Sequence, residues 1–147
     1  MSDPFSVAGS AVGVISLGLT VCQGIVNYYS AFKGQDEEVS QTVDAATNLS
    51  NILKILQPRV TALKEQNQTT ATQIETCIES CAGTLHKLQE VLRKCEATAT
   101  SANMRDRFRE YRKKALYPFR RDTIKSIKEH VTDAHANVQT ALQVLGM

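Results

Sequence analysis

The chain has 147 residues and a formal net charge of +2, with 42% hydrophobic, 5% aromatic and 22% charged residues and no Trp. This length suffices for one domain with its own core, and the scarcity of aromatics, Gly and Pro favours helices over a β-sandwich. The net charge is too small to indicate a polyanionic partner by itself. We therefore expect a single all-α domain over residues 1–147, an up-and-down bundle of four to five helices with an uncharged first helix.

The first predicted helix carries no charged side chain from Pro4 through Phe32. Asp3 is its expected N-cap and Gly34 the residue that ends it. One face is apolar at every third or fourth position, and small residues form a stripe beside it. The stripe consists of Ser6, Gly9, Gly13, Ser16, Thr20 and Gly24. The lack of basic residues ahead of this helix argues against a secretory signal peptide.

Two interpretations of this helix remain open. Its 29 residues would extend roughly 43 Å, more than the roughly 30 Å hydrocarbon core of a bilayer. The G-x-x-x-G formed by Gly9 and Gly13 would also permit close helix packing in lipid. The same pattern suits a core helix surrounded by its neighbours in a soluble bundle. Scattered Ser, Thr and Gln favour burial as the resting state, which makes insertion a conditional event.

The middle of the chain predicts two more helices. The second opens at the acidic cluster 36–38, which suits a helix N-terminus, and Pro58 is expected to kink or break it. After a polar connection at 66–71, Thr72 and Glu75 form a capping-box pattern that opens the third helix. Its apolar residues repeat with the 4-3 spacing of a heptad seam. The seam consists of Ile74, Ile78, Cys81, Leu85, Leu88, Leu92 and Cys95.

A short helix is expected from Met104 to Leu116 and a last one from about Phe119, ended by Gly146. Residues 105–128 hold ten Lys or Arg and three acidic residues. This basic segment has three interpretations: a solvated face, a surface for anionic lipid, or a nucleic-acid site. Lipid is preferred because the chain also offers an insertable helix, and nucleic acid is not expected. The predicted lipid contacts are Arg105, Arg109, Arg112, Lys113, Lys114, Arg120 and Arg121.

No motif predicts catalysis, a metal or a cofactor. The sequence lacks a glycine-rich phosphate loop, a zinc-protease helix and a G-x-S-x-G elbow, so we expect a protein that is not an enzyme. The histidines at 86, 130 and 135 have no nucleophile or ligand set at helical spacing. Cys77 and Cys81 are one turn apart but lack two further zinc ligands. All four cysteines occupy apolar helical positions, which favours reduced thiols in a cytosolic protein.

Three stretches of the chain resemble a known family. They read SDPFSVAGSAVGVISLG at 2–18, LYPFRR at 116–121 and TALQVL at 140–145. They are similar to the N-terminal HeLo-like domain of fungal NOD-like (STAND) receptors. The resemblance implies a cell-death or innate-immunity module whose first helix is released upon oligomerisation and disrupts the plasma membrane. The residues expected to insert are Phe5, Val7, Gly9, Val12, Gly13, Ile15, Leu17, Gly18 and Leu19.

The same resemblance implies partners and a location. The partners are anionic phospholipids of the plasma membrane, further copies of the chain upon activation, and downstream NTPase and sensor domains or a cognate receptor. The protein would be cytoplasmic and would relocate to the membrane. The alternative function is a soluble helical signalling or adaptor module whose first helix stays permanently in the core. Under that alternative, Glu at Ile15 or Leu17 would unfold the domain.

Overall fold

The fold is known from a computed structural model that describes residues 10–99 and 120–146. Helix α1 spans Ala11–Tyr29 and continues as a 3-10 turn at Ser30–Phe32. It is followed by α2 (Glu37–Gln66), α3 (Gln68–Glu79), α4 (Ala82–Ala99) and α5 (Arg121–Val144). Within these described ranges there is no β-strand, only an isolated bridge between Lys33 and Asp36. The predicted all-α fold is confirmed, while the short helix expected at 104–116 lies outside the described residues.

Helix α1 begins later than predicted. Ser10 has an extended backbone (φ −79°, ψ 161°), and its hydroxyl accepts a hydrogen bond of 3.1 Å from the Gly13 amide. A serine in this conformation caps a helix by satisfying an amide that has no intrahelical partner. The prediction of a helix that starts at Asp3 and runs unbroken past this point is therefore wrong; Asp3 itself lies outside the described residues.

The connection from α1 to α2 follows the sequence prediction. Gly34 has a φ of +91°, a left-handed conformation that favours glycine. Asp36 then caps α2, since its carboxylate accepts hydrogen bonds from the amides of Glu38 (2.8 Å) and Val39 (3.3 Å). The uncharged helical segment therefore ends near Gly34, and the acidic cluster 36–38 begins the next helix, as predicted.

Pro58 lies inside α2, which continues without interruption to Gln66. Of the two expected effects of Pro58, a kink or a break, the break is therefore wrong. A proline inside a helix costs about 3 kcal/mol, because it removes a hydrogen bond to the fourth preceding residue and crowds that turn. Here Pro58 and Lys54 are both exposed, so water can reach the freed carbonyl, while Leu56 and Val60 on either side of the proline are buried. The burial of Leu56 and Val60 outweighs the cost of Pro58 to the helix.

The predicted third helix is two helices, and its start was misplaced. Asn67 caps α3 by accepting a hydrogen bond of 3.1 Å from the Thr70 amide. The expected capping residue, Thr72, lies within the helix and donates its hydroxyl to the Gln68 carbonyl. The polar connection predicted at 66–71 thus shrinks to a single residue, because asparagine caps at least as well as threonine.

The chain turns between α3 and α4 at Ser80 and Cys81. The Ser80 hydroxyl donates to the Cys77 carbonyl at 2.5 Å, and the Cys81 amide bonds to Ile78 in the tighter 3-10 manner. The heptad seam nevertheless survives the turn, since all seven of its residues are buried. The apolar period was predicted correctly, but the helix is interrupted at Ser80, whose side chain bonds the backbone one turn earlier.

The five helices pack around one apolar core. Helix α1 contacts α2 most extensively and also lies against α3 and α4, while α5 packs on α2, α3 and α4. The last helix contributes Ile124, Ile127, Val131, Ala134 and Val138 to the buried set, with Leu142 and Leu145 half-buried at its end. Helix α1 is thus packed within the bundle, the arrangement favoured for its resting state.

Candidate functional site

Helix α1 is the candidate functional element, and its inner face is fully apolar. Val14, Ile15, Val21, Cys22 and Ile25 each expose 1% or less of their surface. At the C-terminal end, polar contacts add to this packing. The Tyr28 hydroxyl donates to the Cys95 carbonyl at 3.2 Å, and the Tyr29 hydroxyl lies 3.7 Å from the Cys95 sulfur.

Two glycines set how closely α1 approaches its neighbours. A Cβ placed on Gly18 would lie 2.7 Å from Leu53 Cδ1 and 3.4 Å from Leu85 Cδ1. A Cβ on Gly24 would overlap Leu92 Cδ2. The predicted small-residue stripe contained Gly24 but not Gly18, and the exposed Ser16 and Thr20 in that stripe make no such packing contact. Gly18 was missed as a contact point because a glycine gives no sign of which neighbour fills the space beside it.

The residues predicted to insert into lipid are not equivalent in the folded domain. Ile15, Gly13 and Gly18 are buried, Leu17 and Leu19 are half-buried, and Val12 is 38% exposed. The remaining three (Phe5, Val7 and Gly9) lie outside the described residues. The described part therefore places most of the predicted set in the core or at its edge.

An open groove of about 850 Å³ lies along the outer side of α1. Helix α1 contributes both polar and apolar residues to the groove: Leu19, Thr20, Val21, Gln23, Gly24 and Asn27. The charged residues on the borders of the groove come from α2 and α4. These are Lys54 on α2 and Glu90, Arg93 and Glu96 on α4. The groove was not predicted, because three segments far apart in sequence form it. The spacing of Ser16, Thr20, Gln23 and Asn27 was the available sign of an exposed face.

The basic residues can be placed only in part. Arg120 and Arg121 are exposed at the start of α5, and Arg121 Nε lies 3.8 Å from Glu38 Oε1 on α2. About two turns further along α5, Lys128 donates a hydrogen bond to Gln41. The other five predicted lipid contacts (Arg105, Arg109, Arg112, Lys113 and Lys114) lie outside the described residues. The two that are described are exposed, and Arg121 lies beside the acidic residue Glu38.

Among the described residues, the histidines and cysteines do not form a metal-ligand set. Across residues 10–99 and 120–146, no group of three or more His, Cys, Asp or Glu residues could hold a metal ion. His86 is exposed, and His130 is half-buried with its ring within hydrogen-bonding distance of the Ser126 carbonyl. All four cysteines are free thiols.

Burial determines the chemistry of three thiols. Burial raises the pKa of Cys22 from 9.0 to about 12. It likewise raises the pKa of Cys81 and of Cys95 to about 11, although hydrogen bonds from Asn137 and Tyr29 act in the opposite direction. These three side chains stay protonated at neutral pH and serve as small core residues.

Alkylation should therefore distinguish the four cysteines. We expect iodoacetamide at pH 7.5 to label the half-buried Cys77 first and to leave Cys22, Cys81 and Cys95 largely unmodified, because the thiolate is the reactive form and the core excludes the reagent. Peptide mass spectrometry of the native protein checks this, with the urea-unfolded protein, in which all four thiols react, as the control. Labelling of Cys22 in the native protein as fast as Cys77 would contradict the buried position of α1.

Fold and site together define a small helical-bundle domain with an uncharged first helix whose inner face is buried. The chain belongs to the family described as pigment biosynthesis cluster protein PigL N-terminal, which it matches over residues 2–147. The expectation of a fungal helical domain is supported.

A curated relative is the azaphilone pigments biosynthesis cluster protein L of Monascus ruber. It is 26% identical over 126 residues, which cover 84% of this chain and 26% of the relative. The chain thus spans about a quarter of the length of that relative. No solved structure matches the chain.

Proposed function

We propose that this domain is a membrane-targeting effector of regulated cell death or defence, with a first helix that is held in the bundle at rest and enters lipid upon oligomerisation. One observation carries the proposal. The segment Ala11–Phe32 is long and apolar enough to cross a membrane, with a mean hydropathy of 1.5, yet only 44% of its most apolar stretch is buried.

The energetics of release favour a membrane as the destination. Burying a Val or Ile side chain away from water contributes about 1.5–3 kcal/mol, so exposing the inner face of α1 to water would be prohibitive. Hydrocarbon offers the same side chains an apolar environment. The remaining cost is the apolar surface left uncovered on α2 and α4, which contact between copies of the domain would cover. This is the physical role that the proposal gives to oligomerisation.

The family resemblance and the length of the curated relative also support the proposal. The resemblance to HeLo-like domains of fungal STAND receptors supplies the cell-death function, and the greater length of the curated relative leaves room for further domains downstream. In this proposal such domains, or a separate receptor, provide the trigger, and the domain moves from the cytoplasm to the plasma membrane. It catalyses no reaction there. The name of the relative refers to a biosynthetic cluster and states no activity.

Vesicle assays test the proposal directly. The full chain should bind and release dye from vesicles of phosphatidylcholine with phosphatidylserine, and do so weakly with phosphatidylcholine alone. Replacing Arg120 and Arg121 by Gln should weaken binding about 30-fold, because each basic residue near an anionic surface contributes about 1 kcal/mol. The matched control replaces the exposed Arg59 and Lys87 by Gln, which removes the same charge from α2 and α4.

The outcomes separate the proposal from its alternative. If the native chain neither binds nor permeabilises anionic vesicles at any concentration, the effector function is wrong. The soluble adaptor module then becomes the better interpretation, and the close fit of Gly18 against Leu53 is the feature that favours it. If both double variants lose binding equally, general charge rather than the start of α5 governs membrane contact.

A further inference from the structure

The groove beside α1 is lined by two polar side chains of α2 that no other described residue satisfies. Ser50 is only 8% exposed, yet within the described part of the chain its hydroxyl makes no hydrogen bond to a protein group. Lys54 lies one turn further along α2 and forms no ion pair with any described residue. Both residues also line a smaller cavity of about 100 Å³. Buried polar groups are normally hydrogen-bonded, so this pair of donors indicates a ligand that accepts hydrogen bonds.

The rest of the groove suits an apolar molecule. Leu19 and Val21 of α1 and Leu92 of α4 contribute apolar side chains. On the wall formed by α4, Arg93 and Glu90 compensate each other's charge through a salt bridge of 2.6 Å. The groove has a volume of about 850 Å³. Small-molecule sites have volumes of about 300–1,000 Å³ and combine a mostly apolar lining with a few polar groups, as this groove does.

The remaining charges give the ligand a sign and an orientation. Among the described residues that line the groove, Lys54 and Glu96 are the two charged residues without an ion pair. Lys54 follows the residue that packs against Gly18, whereas Glu96 follows the residue whose carbonyl accepts a hydrogen bond from Tyr28. These two levels of α1 lie roughly 15 Å apart along the helix. An anionic group is therefore favoured at the Lys54 end of the groove and disfavoured at the Glu96 end.

We infer that the groove binds an apolar carboxylic acid, with its carboxylate held by Lys54 and Ser50 and its apolar body lying along α1 toward Leu92. The ammonium and the hydroxyl both donate hydrogen bonds, and charge-assisted bonds to a carboxylate are among the strongest in proteins. The inference goes beyond the proposed function, because it concerns the folded bundle and requires no membrane. A ligand that contacts α1, α2 and α4 only when they are assembled stabilises the fold.

Calorimetric titration of the full chain with decanoate and with 2-naphthoate tests the inference. At least one of the two acids should bind at a single site and raise the melting temperature, whereas decyltrimethylammonium, with the chain length of decanoate and the opposite charge, should bind more weakly. Lys54→Gln should weaken binding of the acid about fivefold, which corresponds to the ~1 kcal/mol between unit charges about 4 Å apart in water. Lys87→Gln, at an exposed position of α4 outside the groove, removes the same charge and should leave the affinity unchanged.

Ser50→Ala adds a second, independent measurement. It should weaken binding of the acid at least about tenfold, because hydrogen bonds to charged groups contribute about 1.5–3 kcal/mol. Without ligand it should not lower the melting temperature, since the native hydroxyl bonds to no described protein group. A lower melting temperature of the ligand-free variant would show that the fold itself uses this hydroxyl, and would overturn the inference.

Three further results would also overturn it. If neither acid binds the native chain, the groove is not a carboxylate site. Equal affinities for decanoate and decyltrimethylammonium would show that apolar contact alone drives binding. Equal losses in Lys54→Gln and Lys87→Gln would show that general charge, and not the groove, attracts the acid. None of these results affects the vesicle assays, so the inference and the proposed function can fail separately.

Discussion

Replacing Ile15 by Glu is expected to unfold the domain or to leave it without a cooperative thermal transition. Ile15 is fully buried in α1. A carboxylate at this position would lose its water without gaining a partner, and it would also lose the apolar burial of the native side chain. The combined cost of several kcal/mol is comparable with the total stability of a small domain, about 5–15 kcal/mol. Circular dichroism during thermal and urea unfolding measures the loss.

The neighbouring residue provides the control. Ser16→Glu introduces the same charge one position further along α1, where the side chain is exposed. Its stability should change by no more than about 0.5 kcal/mol, as is usual for surface substitutions. If Ile15→Glu folds as well as Ser16→Glu does, α1 is not part of the core in solution. The stability of the Leu17→Glu variant should lie between those of the other two variants, since Leu17 is half-buried.

The second large effect is expected from Gly18→Val. Even the first added carbon would lie 2.7 Å from Leu53 Cδ1, and Leu53 is itself 2% exposed and has little room to move. The two further methyl groups would push α1 away from α2 and α4. Overpacking of a well-packed core costs about 1–3 kcal/mol, more than the gain in helix propensity of less than about 1 kcal/mol over glycine. Urea titration should report a lower unfolding midpoint.

Gly83→Ala is the matched control for this substitution. Gly83 is a helical glycine of α4 with nothing within 4 Å of an added Cβ. Alanine there should raise the stability by about 0.5–1 kcal/mol, since it removes only the entropic cost of glycine. If Gly18→Val lowers the stability while Gly83→Ala raises it, close helix approach rather than helix propensity determines the effect at Gly18. A stabilised Gly18→Val variant would mean that α1 lies further from its neighbours.

The two stability experiments bear on function because they measure how firmly α1 is held. A helix that must leave the bundle cannot be anchored by every side chain, and α1 leaves one polar side in the open groove while its other sides are packed. Variants that loosen α1 without unfolding α2 to α5 should release dye from vesicles at lower protein concentration. In the adaptor alternative the same variants would only lose stability.

The sequence by itself determined much of this protein. The apolar repeats predicted the all-α class, and every residue of the heptad seam is buried. Gly34 and the acidic cluster 36–38 predicted the α1 to α2 connection, because caps and left-handed glycines act within a few residues of the chain.

Only the tertiary structure decided the features that depend on distant segments. Because Leu56 and Val60 on either side of Pro58 are buried in the core, α2 stays helical through the proline. The contact of Gly18 with Leu53 and the groove beside α1 join helices that are far apart in sequence. Which side of α1 meets water is set by where α2 and α4 lie, so the uncharged first helix became a buried element with one exposed polar stripe only once the bundle was assembled.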